Sequence, residues 1–344
     1  MKIIEVSASK KYTVTIGSGV LSAIGDVTRK VTNAQKVCIV SDSHVWPLYG
    51  ESVSAQLRKV GLETCSFVFP AGEENKNAGT YLALLNFLAE KQITRSDCLI
   101  ALGGGVVGDL AGFAAATYLR GIPFIQIPTT LLAMVDSSVG GKTGIDLPTG
   151  KNLCGAFYQP AAVLCDTDVL STLPEDIFRD GCAEVIKYGI LYDPALFDHL
   201  EDHGRLFDRE TVIARCVELK RNVVAADEFD RGTRMKLNLG HTVGHAIEKC
   251  SKYAISHGKA VAIGMSIVLK AARCPDRDRI TSLLTQFGLP TTTEYSAEAL
   301  CKCSLHDKKR SGDQVNLVIP NTIGDCAIVP TTFESLKSFI EEGL

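Results

Sequence analysis

The chain of 344 residues is 46% hydrophobic and 22% charged, enough for one large or two ordinary domains. Its formal charge of −3 excludes the broad basic field of a nucleic-acid binder, and no apolar run approaches the roughly 18–20 residues of a membrane span. The twelve cysteines are scattered singly, apart from the C-x-C pair Cys301 and Cys303, so they are expected to be reduced core thiols in a cytoplasmic protein without a signal peptide.

MKIIEVSASKKYTVTIGSG alternates as a strand does. KVCIVSD (36–42), TCSFVFP (64–70), DCLIALGGG (97–105) and FIQIPTT (124–130) read as further strands, rich in Val, Ile and Phe. SVSAQLRKVG, GTYLALLNFLAEKQ and GDLAGFAAATYLRG carry helical periodicity between them. The alternation predicts an α/β fold whose N-terminal part is a doubly wound, Rossmann-like nucleotide-binding domain.

LGGGVVGDLAG follows an apolar strand and opens a helix, and Gly103, Gly105 and Gly108 fit G-x-G-x-x-G. Backbone amides at such a helix start would hold a pyrophosphate. The bland alternative is that the glycines only permit a tight turn and close helix packing. The acidic residue expected about 20 positions later to bind a ribose is missing, and Asp42 at the tip of an earlier strand is the best substitute. MVDSSVGGKTGIDLPTGKNLCGAF (134–157) sets Asp136, Lys142, Lys151 and Asn152 among five glycines with little periodicity. It reads as a phosphate site, or as a solvated loop with incidental charges; it is not a Walker loop.

From about Thr172 the character changes to successive helices: PEDIFRDGCAEVIKYGIL, RETVIARCVELKRNVVAADE, HTVGHAIEKC, HGKAVAIGMSIVLKAARC and DRITSLLTQFG. A hairpin, QVNLVIPNTIGDCAIVP, and a final helix at 332–342 close the chain. Residues 1–172 are therefore expected to form the nucleotide-binding domain and 173–344 a mainly α-helical metal- and substrate-binding domain, with ligands in the cleft between them.

Glu184 and Lys187 lie three apart in an apolar helix and share a face. They are either an ordinary surface pair or buried charges that need a partner or a metal. In NLGHTVGHAIE the i, i+4 pair His241 and His245 shares a face too, and spacing alone leaves open whether one or both bind a metal. Thr242 stands where a zinc protease carries its general-base Glu, which excludes that reading. His257 starts a small-residue helix, where a capping or surface role is the default. Glu184, His241 and His257 together supply one carboxylate and two imidazoles, a set suited to zinc with an open position.

GGGVVGDLAGFAAATYLRGIPFIQIPTTLLAMVDSSVGGKTGID, KNLCGAFYQP, GCAEVIKYG, LNLGHTVGHAIE and HGKAVAIGM closely resemble the 3-dehydroquinate synthase family, in unbroken order from about residue 10 to residue 340. The resemblance implies an NAD-binding domain, a helical domain, one divalent metal (zinc or cobalt) and a homodimer. It implies Glu184, His241 and His257 as metal ligands, with His245 facing the substrate and moving protons. Substrate contacts implied are Asp136, Lys142, Asn152, Lys187, Lys220, Arg234, Asn238 and one lysine of HDKK, Lys308 or Lys309. Arg120 resembles an arginine that reaches a neighbouring subunit's phosphate. NAD contacts implied are Asp42, Glu73, Lys76, Gly104, Gly105, Asp109, Thr129 and Thr130, with Lys142 and Lys151 close to the cofactor. Two departures are visible: Met134 replaces an expected Gln, and Lys259 an expected Glu.

The implied substrate is a sugar acid phosphate, 3-deoxy-D-arabino-heptulosonate 7-phosphate, oxidised at C5 with NAD, relieved of phosphate by β-elimination, reduced again, opened and closed by an aldol step to 3-dehydroquinate. Rival readings are another sugar phosphate cyclase, an iron- or zinc-dependent alcohol dehydrogenase, and a non-catalytic ligand-binding descendant. Arg234 and the paired HDKK lysines favour a substrate with a carboxylate; SVGGKTG and GKN have no evident use in a dehydrogenase.

Overall fold

The structure is a computed structural model that describes residues 1–304 and 314–344. The alternating start resolves into two antiparallel strands, β1 (Lys2–Ser7) and β2 (Lys11–Gly17). Then α1 (Ile24–Val31), β3 (Lys36–Asp42), α2 (Glu51–Lys59), β4 (Glu63–Phe69), α3 (Ala78–Glu90), β5 (Cys98–Gly103), α4 (Gly105–Thr117) and β6 (Phe124–Pro128) alternate as expected. β7 (Lys142–Leu147), β8 (Gly150–Phe157) and β9 (Ala162–Asp166) follow.

One sheet runs β1-β2-β9-β6-β5-β3-β4, antiparallel at β1–β2 and parallel across the other pairs. Successive strand residues point to opposite faces. Val37, Ile39, Ile100, Leu102, Ile125 and Ile127 pack with Ile24, Val53 and Leu57 of α1 and α2. Cys38, Val40, Leu99, Ala101 and Phe124 pack with Leu84, Leu88, Val107 and Leu110 of α3 and α4. Cover on both faces explains the nearly continuous apolar runs of these strands, and the expected doubly wound fold is the one observed. The order turns back between β3 and β5, so Asp42 and the glycine turn sit at the carboxyl ends of the two strands flanking the switch.

The stretch 134–157, which shows no strand period, contains the antiparallel hairpin β7–β8. Glycine hides the signal: a Cβ on Gly155 would lie 2.2 Å from the Thr143 carbonyl oxygen, so close strand approach replaces side-chain pairing there.

The second half is helical as expected: α5 (Glu175–Tyr192), α6 (Pro194–His203), α7 (Arg209–Ala226), α8 (His241–Cys250), α9 (His257–Ala271), α10 (Arg277–Gln286) and α11 (Ala297–Ser304), then the hairpin β10 (Gln314–Thr322) and β11 (Asp325–Thr332), and α12 (Phe333–Gly343). α8 and α9 meet through glycine. A Cβ on Gly264 would lie 2.1 Å from the Gly240 carbonyl oxygen, and one on Gly244 3.1 Å from that of Ala260.

The chain divides into two compact units, Met1–Leu173 with Arg209–Phe229, and Pro174–Asp208 with Asp230–Leu344. The change of character near Thr172 thus misplaces one element. α7 belongs with the first unit, where it packs on β1, β2 and the turn Ala133–Ser137. Its helical period was visible, but not the partner of its apolar face, because β1 offers a strand face 200 residues earlier. No helix among the described residues is long and apolar enough to cross a membrane.

Candidate metal centre and cofactor site

In the first unit, β5 ends at Gly103 and α4 begins at Gly105, with Gly104 as its N-cap in extended backbone. A Cβ on Gly103 would lie 2.5 Å from Val107, and one on Gly108 2.7 Å from Gln126 Oε1, so both glycines serve close packing. Gly104 and Gly105 face Thr130 and Ser137 instead. The Thr129 amide donates to the Gly103 carbonyl at 3.0 Å, which joins the ends of β5 and β6. The buried Thr129 hydroxyl has no hydrogen-bond partner among the described residues. Asp42 Oδ1 accepts from the amides of His44 and Val45 at 2.8 and 2.9 Å, which holds its carboxylate at the strand tip.

Five of the expected contacts gather around one ammonium. Lys76 Nζ, nearly fully buried, lies 2.9 Å from Glu73, 3.3 Å from Asp109, 3.7 Å from Asp146 and 2.8 Å from Asn152 Oδ1; Lys151 Nζ is 3.5 Å from Glu73. Burial alone would lower the Lys76 pKa, but Asp109, Glu73 and Asp146 hold it above the ordinary lysine value. Burial pushes the Asp109 carboxyl up to about 6 despite Lys76. Partial burial would raise the Glu73 carboxyl, but Lys76 and Lys151 hold it below its usual range.

Asp146 was not anticipated. It accepts from the Asn152 amide at 2.7 Å and so fixes that residue in its left-handed conformation, φ 52°. No motif marks it; its meaning comes from the irregular end of the β7–β8 hairpin, where its carboxylate reaches the Asn152 amide. Lys142 stands exposed at the start of β7, and Arg120, also exposed, follows α4 with φ 67°. Lys220 of α7 is buried and lies 2.9 Å from Asp136 Oδ1, so the return of that helix joins two expected substrate contacts. Met134 is buried in the same turn.

In the second unit, Glu184 and Lys187 are both about 1% exposed, which excludes the surface pair. Lys187 donates to Glu184 Oε2. Glu184 Oε1 lies 3.5 Å from His241 Nε2 and 3.5 Å from His257 Nε2. Tetrahedral zinc with ligand bonds of about 2.1 Å has edges of about 3.4 Å, so the spacing suits a first-row divalent cation. The His241 Nδ1 is 3.0 Å from the Leu239 carbonyl, leaving Nε2 for a metal. Burial would lower the His257 pKa, but the carboxylates of Glu184 and Glu248 raise it to about 10, as a pocket that attracts a cation would.

His245 falls into another group, with Glu248 and His257; its ring centre is 5.4 Å from that of His241 and 6.1 Å from that of His257. Asp180, one turn before Glu184 on α5, accepts from the Lys259 amide at 3.0 Å and from the Ser256 hydroxyl, which anchors the first turn of α9. Lys259 therefore acts there through its backbone. Arg234 is buried in the turn Thr233–Asn238, where Asn238 Nδ2 donates to the Met235 carbonyl at 2.9 Å. Lys308 and Lys309 lie outside the described residues.

Profiles described as 3-dehydroquinate synthase N-terminal and C-terminal match residues 66–180 and 181–310. The 3-dehydroquinate synthase of Pelobacter propionicus is 45% identical, over 98% of each chain, and that of Enterococcus faecalis 42% identical, over 99% of this chain and 98% of the relative. The chain belongs to the 3-dehydroquinate synthase family. Among solved structures, a 2-deoxy-scyllo-inosose synthase complexed with carbaglucose-6-phosphate, NAD+ and Co2+ superposes with TM-score 0.90 at 26% identity, over 100% of both chains. ValA, the 2-epi-5-epi-valiolone synthase of Streptomyces hygroscopicus, with NAD+ and Zn2+ bound, gives 0.88 at 27% over 97% of this chain and 98% of ValA. Glycerol dehydrogenase of Schizosaccharomyces pombe, at 18% identity, TM-score 0.64 and coverage of 99% and 93%, shares the fold alone. These two 3-dehydroquinate synthases are thus nearer in sequence than the inosose and valiolone synthases.

Proposed function

We propose that the chain converts 3-deoxy-D-arabino-heptulosonate 7-phosphate into 3-dehydroquinate and phosphate, using NAD and one divalent metal. The observation that carries this reading is the tetrahedral-edge spacing of Glu184, His241 and His257, in a chain 41–45% identical to 3-dehydroquinate synthases over nearly its whole length. When bound, NAD supplies a hydride acceptor restored within each turnover, and the metal a Lewis acid, both at the substrate's C5 hydroxyl.

Glu184, His241 and His257 would hold the metal; Asp42, Glu73, Lys76, Gly104, Gly105, Asp109, Thr129, Thr130, Lys142 and Lys151 would hold NAD. The substrate has two anionic ends, and the first unit offers Lys142, Lys220 and Asn152 to orient it. Asp136 keeps the Lys220 ammonium in place. The second unit offers Lys187, Arg234 and Asn238, with Arg234 giving a planar fork that suits a carboxylate. His245, whose ring is near the triad but grouped with Glu248, takes and returns a proton at its ring nitrogen as the hydroxyl loses and regains hydrogen. The chain's free cysteines support a cytoplasmic location, and the likeness of Arg120 to an arginine that reaches a neighbouring subunit supports a homodimer.

Purified protein given the heptulosonate phosphate and catalytic NAD tests the proposal by phosphate release and NADH absorbance. Phosphate without net NADH supports it; accumulating NADH would make the protein a dehydrogenase.

A further inference from the structure

α8 presents three ionisable groups on one stripe: His241, His245 and Glu248, at i, i+4 and i+7. The first two have roles in the reading above. Glu248 has none, yet it is a carboxylate only 2% exposed, and a buried charge persists where something answers it. Its Oε2 faces His257 Nδ1 at 3.6 Å, while the Nε2 of that ring faces Glu184 Oε1 at 3.5 Å. The imidazole of His257 thus stands between two carboxylates, one on each nitrogen.

His241 has the matching arrangement with a different partner: Nε2 toward Glu184, and Nδ1 toward the carbonyl of Leu239. In both rings the nitrogen away from Glu184 meets an acceptor. An acceptor there keeps the proton on Nδ1, leaves the Nε2 lone pair for a metal, and fixes the plane of the ring. A closure of less than about 1 Å turns the Glu248–His257 approach into an N–H···O hydrogen bond. A carboxylate makes the ring a stronger donor to the metal than a carbonyl does.

We propose that Glu248 is a positioning residue for the metal centre: it orients His257 by accepting from Nδ1, and so selects the triad Glu184–His241–His257 over the group His245–Glu248–His257. The proposal rests on the metal-binding reading above. It adds that the affinity of the centre depends on a carboxylate outside the ligand set.

The test is metal affinity, measured by competition with a chromogenic chelator, and the visible spectrum of the cobalt-loaded protein. Native protein, Glu248→Gln, Glu248→Asp and His245→Ala are compared, with thermal unfolding of each metal-free form as the fold control. Glu248→Gln is close in size and should fold with an unchanged midpoint. It is expected to bind Zn2+ and Co2+ about 10–100-fold more weakly and to shift the cobalt bands, while Glu248→Asp recovers part of the affinity.

Affinity of Glu248→Gln within twofold of native, with unshifted bands, overturns the proposal. So does a loss that follows the unfolding midpoint, because Glu248 would then be structural. An affinity loss in His245→Ala as large as that in Glu248→Gln also overturns it, by moving the metal to the other group. Native protein that binds no metal sinks the metal-binding reading itself, a result distinct from the other three.

Discussion

His241 and His245 stand one turn apart on the same helix; the first lies 3.5 Å from Glu184 Oε1 and groups with Glu184 and His257, while the second groups with Glu248 and His257. We expect His241→Ala to lower zinc affinity on the order of 100-fold or more and His245→Ala to leave it nearly intact while turnover falls. Metal analysis of both purified variants checks this, and equal loss would refute the split. The residue types of the triad were legible because two imidazoles and a carboxylate stood on apolar helices. Asp146, Asp180 and Glu248 were not, since a single acid gains meaning only from the partner that folding brings to it.

Asp109 yields a prediction with a definite sign. Its folded pKa of about 6 exceeds the ordinary value near 4. Its contribution to folding is therefore full below about pH 4 and lost as pH rises through about 6. Asp109→Asn removes that dependence. In NAD-free protein the variant should match the native chain near pH 4 and surpass it above pH 6, by on the order of 1–3 kcal/mol. Denaturant unfolding across this range checks it; a gain independent of pH would show that burial of the charge is not the cause.

At the scale of elements, the second unit depends on how closely α8 and α9 approach. Gly264 has no room for a side chain against the Gly240 carbonyl, and Gly258 none against that of Asp180, where a Cβ would lie 1.9 Å away. Backbone cannot step aside as a flexible side chain can, so we expect Gly264→Ala and Gly258→Ala each to destabilise by about 1–3 kcal/mol. Gly258→Ala should also weaken metal binding, because it pushes His257 away from Glu184. Thermal unfolding and metal titration of both variants check this; a native midpoint in either would mean that the helices tolerate separation.

These helices were readable from apolar period and small residues, nearly to their ends. The hairpin β7–β8 was not, because the five glycines of residues 134–157 leave no alternating pattern, and only the facing backbone reveals it.

At the scale of the molecule, α7 decides how the first unit may be cut. It buries Val212, Ile213, Val217, Leu219 and Val224. At about 1.5–3 kcal/mol for each large aliphatic chain, that is on the order of 10 kcal/mol, as much as a whole domain's usual net stability. A fragment of residues 1–173 should therefore lack cooperative unfolding and bind a hydrophobic dye. A single sharp transition in that fragment would show that the helix is dispensable. The order of strands and helices was plain from the sequence. Which helix covers which strand was not, since periodicity describes a face and not what it lies against.

The loan of α7 to the first unit also governs how the protein can be made. A ribosome that has finished Leu173 has synthesised every strand of the main sheet, yet the layer over β1 is still roughly 50–60 residues from complete. At about 5–20 residues per second the nascent sheet waits on the order of 3–10 s with an apolar flank bare. In that interval the half-made chain is a client for chaperones, and slow codons between 174 and 229 would lengthen its exposure.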